Sequence, residues 1–282
     1  MLALLEKNSE LTKVLQAYIK GELSMKVVIL AGGFGTRLAE ETSVIPKPMV
    51  QVGDRPILWH IMKIYEAHGF DEFVLALGYK SEVIKRYFLD YRLMTESLEV
   101  SLSTGKTLTQ SENTEDWNIK MIETGQNSLT GGRLLRLKPY LENETFMLTY
   151  GDGVADVDVK ALVEFHKSHG KIATVSAVRP PARFGGLHFD DNGQIIEFIE
   201  KPQIGEGWIN GGFMVFEPEI FKYLEPTGDL GSLEVDAFEG LAKDGELMAF
   251  QSPDFWQCMD TIRDKQFLND LWQKDKAPWK KW

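Results

Sequence analysis

The chain has little cysteine, no long apolar run and no excess of positive charge. Its single cysteine, Cys258, cannot form a disulfide within the chain, which is typical of a reducing compartment, so we expect a cytoplasmic protein. No run of about 18 apolar residues is present, so the sequence predicts no membrane-spanning helix. The first residues also lack the basic start and the apolar stretch of a signal peptide. We therefore expect no membrane association.

Basic residues are outnumbered, with 31 Lys and Arg against 42 Asp and Glu, for a formal net charge of −11. So acidic a chain is a poor general binder of nucleic acid or of an anionic membrane, and we predict neither as a partner. Any anionic substrate must be bound by a few local cations. The hydrophobic share of 43% and the length of 282 residues exclude a disordered chain and suit one large α/β domain or two small ones.

Short apolar segments alternate with amphipathic segments from Met25 onward. The apolar segments predict strands at Lys26–Leu30, Phe73–Leu77, Thr145–Tyr150 and Ile172–Val178, and the amphipathic ones predict helices at Pro56–His68, Ser81–Tyr91, Thr130–Leu141 and Val157–His169. Strands that are apolar throughout indicate a parallel sheet covered on both faces. The sequence therefore predicts an α/β fold with a Rossmann-like, mostly parallel mixed sheet flanked by helices.

Four other segments depart from this alternation. Gly186–Phe189 and Gln194–Ile199 predict a small antiparallel β part, and the polar, aperiodic Ser103–Asp116 predicts an exposed loop or small insertion. Residues 1–24 have apolar side chains at helical spacing and precede the first strand, so we interpret them as a helical N-terminal extension. Either an upstream start or a regulatory or assembly helix fits that extension. Residues 25–282 form the main domain.

A glycine-rich segment, Leu30–Leu38, directly follows the first predicted strand. Glycines let the backbone approach a ligand and point its N–H groups at phosphate, and ligands bind at this edge of open parallel sheets. Two known phosphate loops do not fit. A Walker loop needs Gly-Lys-Ser/Thr, and a dinucleotide fingerprint starting at Gly33 needs a glycine where Leu38 stands. A tight strand-to-helix turn is the alternative interpretation.

Two further basic residues lie in segments suited to a phosphate or a base. Lys47 is held between Pro46 and Pro48, which restrict its backbone. Arg133 lies in the segment Ser128–Arg133, where a predicted helix begins and its free N–H groups suit an anion or a base edge. Ordinary capping by Ser128 or Thr130 is the alternative there.

Two acidic residues are candidates for a metal site. Asp152 stands between two glycines at the end of a predicted strand, and Asp260 stands just before a predicted helix, where an ordinary N-cap is the alternative. The segments Glu200-Lys201-Pro202 and Asn210-Gly211-Gly212 add polar groups between them. The five histidines have no metal-ligand spacing and no serine partner, so we predict neither a zinc site nor a catalytic triad.

These motifs together resemble those of the sugar-1-phosphate nucleotidylyltransferases. The resemblance covers about Met25 to Trp282, and the segments around Trp59, Trp208 and Trp256 are similar to the glucose-1-phosphate cytidylyltransferase group of that family. It implies transfer of a cytidylyl group from CTP to α-D-glucose 1-phosphate, giving CDP-glucose and pyrophosphate. Two alternatives stay open: the same chemistry with another base or sugar, as in dTDP- or UDP-glucose pyrophosphorylases, and a non-catalytic sugar-nucleotide-binding homologue.

The resemblance also implies a role for each candidate residue. The nucleotide is bound by Leu30, Ala31, Gly32, Gly33, Phe34, Gly35, Thr36 and Arg37, with Lys47 bridging phosphates near the reacting centre and Arg37 stabilising the leaving pyrophosphate. Ser128 and Arg133 line the cytidine pocket, Gly151 faces the nucleotide sugar, Glu200 and Asn210 contact the hexose, and Lys201 holds the glucose phosphate. Asp152 and Asp260 hold Mg²⁺. A homo-oligomer is also implied, with Trp272, Trp279 and Trp282 as contact candidates.

The implied reaction needs no general base, because the attacking phosphate oxygen is already anionic. Catalysis must then consist of positioning and charge neutralisation between two polyanions. The candidate cations are Arg37, Lys47, Arg133 and Lys201.

Overall fold

The computed structural model describes residues 25–110, 115–180, 186–189, 194–199 and 207–282. The predicted extension 1–24 and the predicted site residues Glu200 and Lys201 lie outside the described residues. The strands are β1 (Val27–Leu30), β2 (Gln51–Val52), β3 (Arg55–Pro56), β4 (Glu72–Leu77), β5 (Ser97–Ser101), β6 (Lys106–Gln110), β7 (Asn118–Glu123), β8 (Phe146–Tyr150), β9 (Gly153–Ala155), β10 (Ala173–Val178), β11 (Gly186–Phe189), β12 (Ile195–Ile199), β13 (Ile209–Phe216), β14 (Leu247–Ser252) and β15 (Trp256–Cys258).

The helices lie between these strands, except for the last helix, which follows β15. They are α1 (Ala39–Thr42), α2 (Ile57–Ala67), α3 (Ser81–Leu89), α4 (Tyr91–Thr95), α5 (Thr130–Arg136), α6 (Lys138–Leu141), α7 (Val159–His169), α8 (Phe221–Leu224), α9 (Glu239–Lys243) and α10 (Ile262–Gln273). Single 3₁₀ turns occur at Thr36–Leu38, Lys47–Met49, Pro218–Ile220 and Gly228–Leu230, and a π-helical segment spans Leu233–Phe238. None of the helices in these residues is long and apolar enough to cross a membrane.

A seven-stranded mixed sheet forms the centre of the described chain, in the order β14-β10-β13-β8-β1-β4-β7. β1 pairs in parallel with β4 and β8, β4 with β7, and β10 with β14. β13 alone among these seven runs antiparallel, between β8 and β10. The predicted mostly parallel mixed sheet is confirmed. Small antiparallel pairs β11–β12, β9–β15, β2–β3 and β5–β6 complete the described β structure.

Alternate residues of β1 pack into two apolar cores, one on each face of the sheet. Val27 and Ile29 belong to the core that α2 and α10 cover, whereas Val28 and Leu30 belong to the core that α5, α8 and α9 cover. Successive side chains of a strand point to opposite faces, so a strand with helices on both sides must be apolar at every position. That requirement explains why the continuous apolar segments predicted these strands.

Two predicted helices are broken, and one predicted loop contains a strand. The helix predicted at Thr130–Leu141 is interrupted at Leu137, because Pro139 has no N–H to donate and its ring would crowd the preceding turn. The helix predicted at Ser81–Tyr91 stops at Leu89. Within the predicted loop Ser103–Asp116, Lys106–Gln110 forms β6, paired with β5. Its strand was missed because most of its side chains are exposed, so no apolar alternation marks it.

The C-terminal tail packs on α2 through Trp279. The Trp279 indole is fully buried, and its Nε1–H donates to Nδ1 of His60 at 3.4 Å. Burial lowers the pKa of His60 to about 4, so this ring is neutral and can accept that hydrogen bond, while its Nε2–H donates to the Val52 carbonyl. Trp279 was predicted as a contact between subunits. Its burial inside the chain leaves it no surface to offer, whereas Trp282 is 36% exposed.

We expect Trp279→Ala to lower the free energy of unfolding by about 3–5 kcal/mol, because it leaves a large cavity and removes the hydrogen bond to His60. Urea unfolding followed by circular dichroism measures this loss. The matched control is Trp282→Ala, which removes the same side chain from a partly exposed position and should cost much less. Equal losses in the two variants would contradict the packing described for the tail.

Candidate active site

A cleft of about 440 Å³ opens at the carboxyl ends of β1 and β8. Because β13 runs antiparallel to β8, it begins at this same edge and brings Asn210 there. The residues lining the cleft come from the glycine loop, the Lys47 turn, the start of α5 and the end of β8; they are Leu30, Gly32, Gly33, Phe34, Gly35, Thr36, Lys47, Pro48, Gln126, Asn127, Ser128, Leu129, Thr130, Arg133, Tyr150, Gly151 and Asp152.

The glycine loop turns sharply at Gly35, whose φ of 63° lies in the left-handed region. A Cβ at this position would also lie 2.9 Å from Thr42 Cγ2 and 3.0 Å from Lys47 Cβ. The turn leads into the 3₁₀ segment that carries Arg37, whose side chain is 77% exposed. Glycine at position 35 therefore allows the loop to pack against Lys47 while Arg37 projects beside the cleft.

The Lys47 ammonium lies between two carboxylates. Its Nζ is 2.7 Å from Asp152 Oδ2 and 2.5 Å from Asp260 Oδ1, and Arg37 Nη1 donates to the other Asp260 oxygen at 3.0 Å. Lys47 itself is 9% exposed and lies in the short 3₁₀ turn that follows Pro46. Two cations and two carboxylates thus alternate at the entrance of the cleft.

A short β-ribbon explains how Asp152 and Asp260 meet although they lie far apart in sequence. β9 begins directly after Asp152, β15 ends two residues before Asp260, and the two strands pair antiparallel with Gly153 opposite Cys258. Met259 N–H also donates to the Asp152 carbonyl at 2.8 Å. Beyond Asp260, α10 starts with a capping box in which Thr261 is the N-cap, so the alternative interpretation of Asp260 as the N-cap is wrong.

The charges of this cluster stabilise one another. Burial by itself lowers the pKa of Lys47, but Asp152 and Asp260 outweigh it, so that the pKa is raised. For Asp260, burial raises the pKa, and the hydrogen bonds from Lys47 and Arg37 outweigh it in the other direction. No group of three or more His, Cys, Asp or Glu side chains in the described ranges could hold a metal ion. Two carboxylates nevertheless fit a divalent cation that completes its shell with phosphate oxygens and water.

Arg133 lines the cleft with a buried side chain that hydrogen-bonds to the protein around it. It is 4% exposed, and its Nη1 and Nη2 groups donate to the Thr124 hydroxyl and to the carbonyls of Gly32, Leu77, Gly125 and Gln126. These acceptors lie at or just after the ends of β1, β4 and β7, so one guanidinium connects three strand ends. Arg133 was predicted as a cation that neutralises phosphate charge. Its Nη1 and Nη2 groups are directed at these protein acceptors while the residue also lines the cleft, so its role toward a substrate stays a prediction.

The start of α5 is fixed by contacts that capping does not explain. Leu129 is the N-cap, and neither Ser128 nor Thr130 caps the helix. Instead, the Thr130 hydroxyl donates to Glu234 Oε2 at 2.7 Å, and Ser128 lies buried in the cleft wall. The backbone of Leu129 also donates to the Asp229 carbonyl. The capping interpretation of this segment is wrong.

Tyr150 and Glu234 were missed by the sequence reasoning. Tyr150 lines the cleft, its hydroxyl donates to Glu234 Oε1 at 2.5 Å, and Asn210 Nδ2 donates to that hydroxyl at 3.3 Å. The position of Tyr150 directly before Gly151 and Asp152 was a signal that could have identified it. Glu234 belongs to no motif, and only the tertiary packing brings it to the site.

The structure gathers most of the predicted site residues around the cleft. Three predicted residues stand at the margin of the cleft. Arg37 contacts Asp260, Asp260 contacts Lys47, and Asn210 contacts Tyr150. Ala31, in contrast, is buried in the core. Cys258 lies beside Asp260, and burial raises the pKa of its thiol to about 12, which keeps the thiol protonated and unreactive.

Comparison with known proteins relates this site to a family. The sequence profile of the nucleotidyl transferase family matches residues 26–265. A glucose-1-phosphate cytidylyltransferase of Salmonella typhi is 49% identical over 259 residues, which cover 92% of this chain and 100% of the relative. A relative in Bacillus subtilis is 44% identical over 258 residues, with the same two coverages. The crystal structure of HddC from Yersinia pseudotuberculosis matches with a TM-score of 0.63 and 25% identity, over 88% of this chain and 99% of that one. The chain therefore belongs to the nucleotidyl transferase family, in which it is similar to glucose-1-phosphate cytidylyltransferases.

Proposed function

We propose that this protein transfers a cytidylyl group from CTP to α-D-glucose 1-phosphate, giving CDP-glucose and pyrophosphate. The observation that carries the proposal is the cluster of Lys47 between Asp152 and Asp260 beside the glycine loop. This arrangement suits a triphosphate and a second phosphate that must approach each other. The choice of CTP and glucose 1-phosphate rests on relatives of that activity, one of them 49% identical over its whole length.

In the proposed reaction, a phosphate oxygen of glucose 1-phosphate forms a bond to the α-phosphorus of CTP. The bond from that phosphorus to the oxygen of the β-phosphate breaks in line, and pyrophosphate leaves with that oxygen. The attacking oxygen carries its negative charge already, so no proton needs to be removed. Arg37 stabilises the charge that develops on pyrophosphate, and Lys47 bridges phosphates at the reacting centre.

The proposed cofactor is Mg²⁺, held by Asp152 and Asp260. Mg²⁺ usually takes one or two carboxylates and fills its octahedral shell with phosphate oxygens and water, which matches this donor set. When bound, it would supply further neutralisation of the triphosphate charge. The Lys47 ammonium donates to both carboxylates and offsets the repulsion between them.

The substrates would lie along the cleft with the base on one side and the hexose on the other. Backbone groups of the loop from Leu30 to Gly35 would bind the nucleotide, with Thr36 and Arg37 on its phosphates and Ser128 beside the base. We assign the hexose to Asn210 and Glu200 and its phosphate to Lys201. The assignments of Glu200 and Lys201 come from their sequence motif alone. Gly151 would face the nucleotide sugar.

Three wider proposals accompany this activity. The catalytic domain spans residues 25–282, in keeping with a family match that begins at residue 26. The protein acts in the cytoplasm as a homo-oligomer, with no nucleic acid and no membrane as a partner. Residues 1–24 carry none of the assigned groups, so they are dispensable for turnover.

Assay of pyrophosphate release, with CTP, dTTP, UTP and GTP each paired with several sugar 1-phosphates, tests the function. We expect the highest kcat/KM for CTP with glucose 1-phosphate. A higher value for dTTP or UTP would contradict the assignment of the base but not that of the reaction. A chain beginning at Met25 should have the same kcat in this assay, and a large loss in a folded truncated chain would contradict the dispensable role of residues 1–24.

Variants at Arg37 and Lys201 should separate the chemical step from sugar-phosphate binding. Arg37→Ala should lower kcat by about 100-fold or more, because one charge stabiliser of the leaving group is lost. Lys201→Ala should act mainly by raising KM for glucose 1-phosphate. The matched control is Lys222→Ala, which removes an exposed lysine from α8. An unchanged dependence on glucose 1-phosphate in Lys201→Ala would reject the role of that residue.

A further inference from the structure

Glu234 lies at the first turn of the π-helical segment Leu233–Phe238, with its carboxylate directed at three hydroxyl groups. Oε1 accepts from Tyr150 at 2.5 Å, and Oε2 accepts from Thr130 at 2.7 Å and from Ser232 at 2.8 Å. π-Helical turns are rare and occur frequently at functional sites. Burial raises the pKa of Glu234, but these hydroxyl groups outweigh it and hold the pKa below its usual range. The ionised carboxylate therefore only accepts hydrogen bonds.

The Glu234 carboxylate fixes the direction of the hydrogen bonds between Tyr150 and Asn210, on the side of the cleft assigned to the hexose. The Tyr150 hydroxyl gives its single hydrogen to Glu234, so its oxygen can only accept, and it accepts from Nδ2 of Asn210 at 3.3 Å. The Asn210 side-chain oxygen accepts from Gly212 N–H at 2.9 Å. Both ends of the amide are thus oriented, and among the residues that the structure describes the second Nδ2 hydrogen has no acceptor. Asn210 is exposed, so a ligand can reach that donor.

The other carboxylate oxygen acts on the opposite wall of the cleft. The Thr130 hydroxyl donates to Glu234 and accepts from Leu233 N–H at 3.0 Å. Two backbone bonds add to this contact, since Leu129 N–H donates to the Asp229 carbonyl and Gly132 N–H to the Gly231 carbonyl, both at 3.1 Å. The segment that carries Ser128 into the cleft is therefore docked on the segment that carries Glu234.

We propose that Glu234 is a positioning residue that serves both ends of the cleft. Through Tyr150 it orients the Asn210 amide so that a hydrogen is offered to a hydroxyl oxygen of the hexose. Through Thr130 it holds the start of α5, and with it the wall beside the base. This proposal rests on the proposed function, in which the two ends bind a sugar phosphate and a nucleotide.

Steady-state kinetics, with each substrate varied in turn, separates the two arms of this network. Tyr150→Phe should raise KM for the sugar phosphate by about three- to tenfold and leave KM for the nucleotide unchanged, because one hydrogen-bonded link is lost. Thr130→Val should raise KM for the nucleotide and leave KM for the sugar phosphate unchanged. Glu234→Gln should raise both KM values. Combining Tyr150→Phe with Asn210→Ala should cost no more than Asn210→Ala alone, because the hydroxyl acts through the amide.

Matched controls exist elsewhere in the chain. Tyr223→Phe removes a tyrosine-to-carboxylate hydrogen bond to Asp244, and Glu217→Gln alters a carboxylate that accepts from Thr145; both should leave both KM values unchanged. The assay uses the substrate pair that the wild type turns over best, so a wrong base or sugar does not affect the test. Equal changes of both KM values in Tyr150→Phe, or additive losses in the double variant, would overturn the proposal. A wild type that releases no pyrophosphate with any pair overturns the proposed function as well.

Discussion

One ammonium group between two carboxylates determines how this cleft is built. Asp152 and Asp260 would repel each other at a site meant for polyanions, and Lys47 lies within hydrogen-bond distance of both. Three separate local structures bring them together: the turn after Pro46, the β9–β15 ribbon and the capping box at the start of α10. A chain with net charge −11 thereby brings the positive groups of Lys47 and Arg37 together beside the glycine loop.

The remaining walls of the cleft are held by polar side chains that hydrogen-bond to the protein around them. Arg133 connects the strand ends under the glycine loop, and Glu234 connects the start of α5 with Tyr150. A Cβ at Gly32 would lie 2.2 Å from Arg133 Nη1, so the close packing of the loop on this guanidinium requires glycine. Preorganisation of this kind is what a reaction without a general base depends on, since its rate comes from positioning and electrostatics.

Much of the fold was predictable because each central strand is covered on both faces, which makes it apolar throughout. The glycine loop, Lys47 and Asp152 were also predictable, since each stands at a strand end or in a short motif with a physical reason for its residues. The direction of Arg133 could not be read from the sequence, because only the packing of three strand ends decides that its guanidinium points inward. Glu234 was hidden for the same reason, and the exposed strand β6 gave no apolar alternation.

The proposed metal site at Asp152 and Asp260, where the Lys47 ammonium is bonded to both carboxylates, should bind a divalent cation tightly only when a nucleotide adds phosphate oxygens. Binding of Mn²⁺, measured by electron paramagnetic resonance with and without CTP, tests it most directly. We expect weak binding to the free protein and much tighter binding with CTP. We also expect Lys47→Met to raise the affinity of the free protein for Mn²⁺ by about tenfold or more, because a positive charge a few ångströms away is removed. An affinity that CTP does not change, together with no effect of Lys47→Met, would contradict the account.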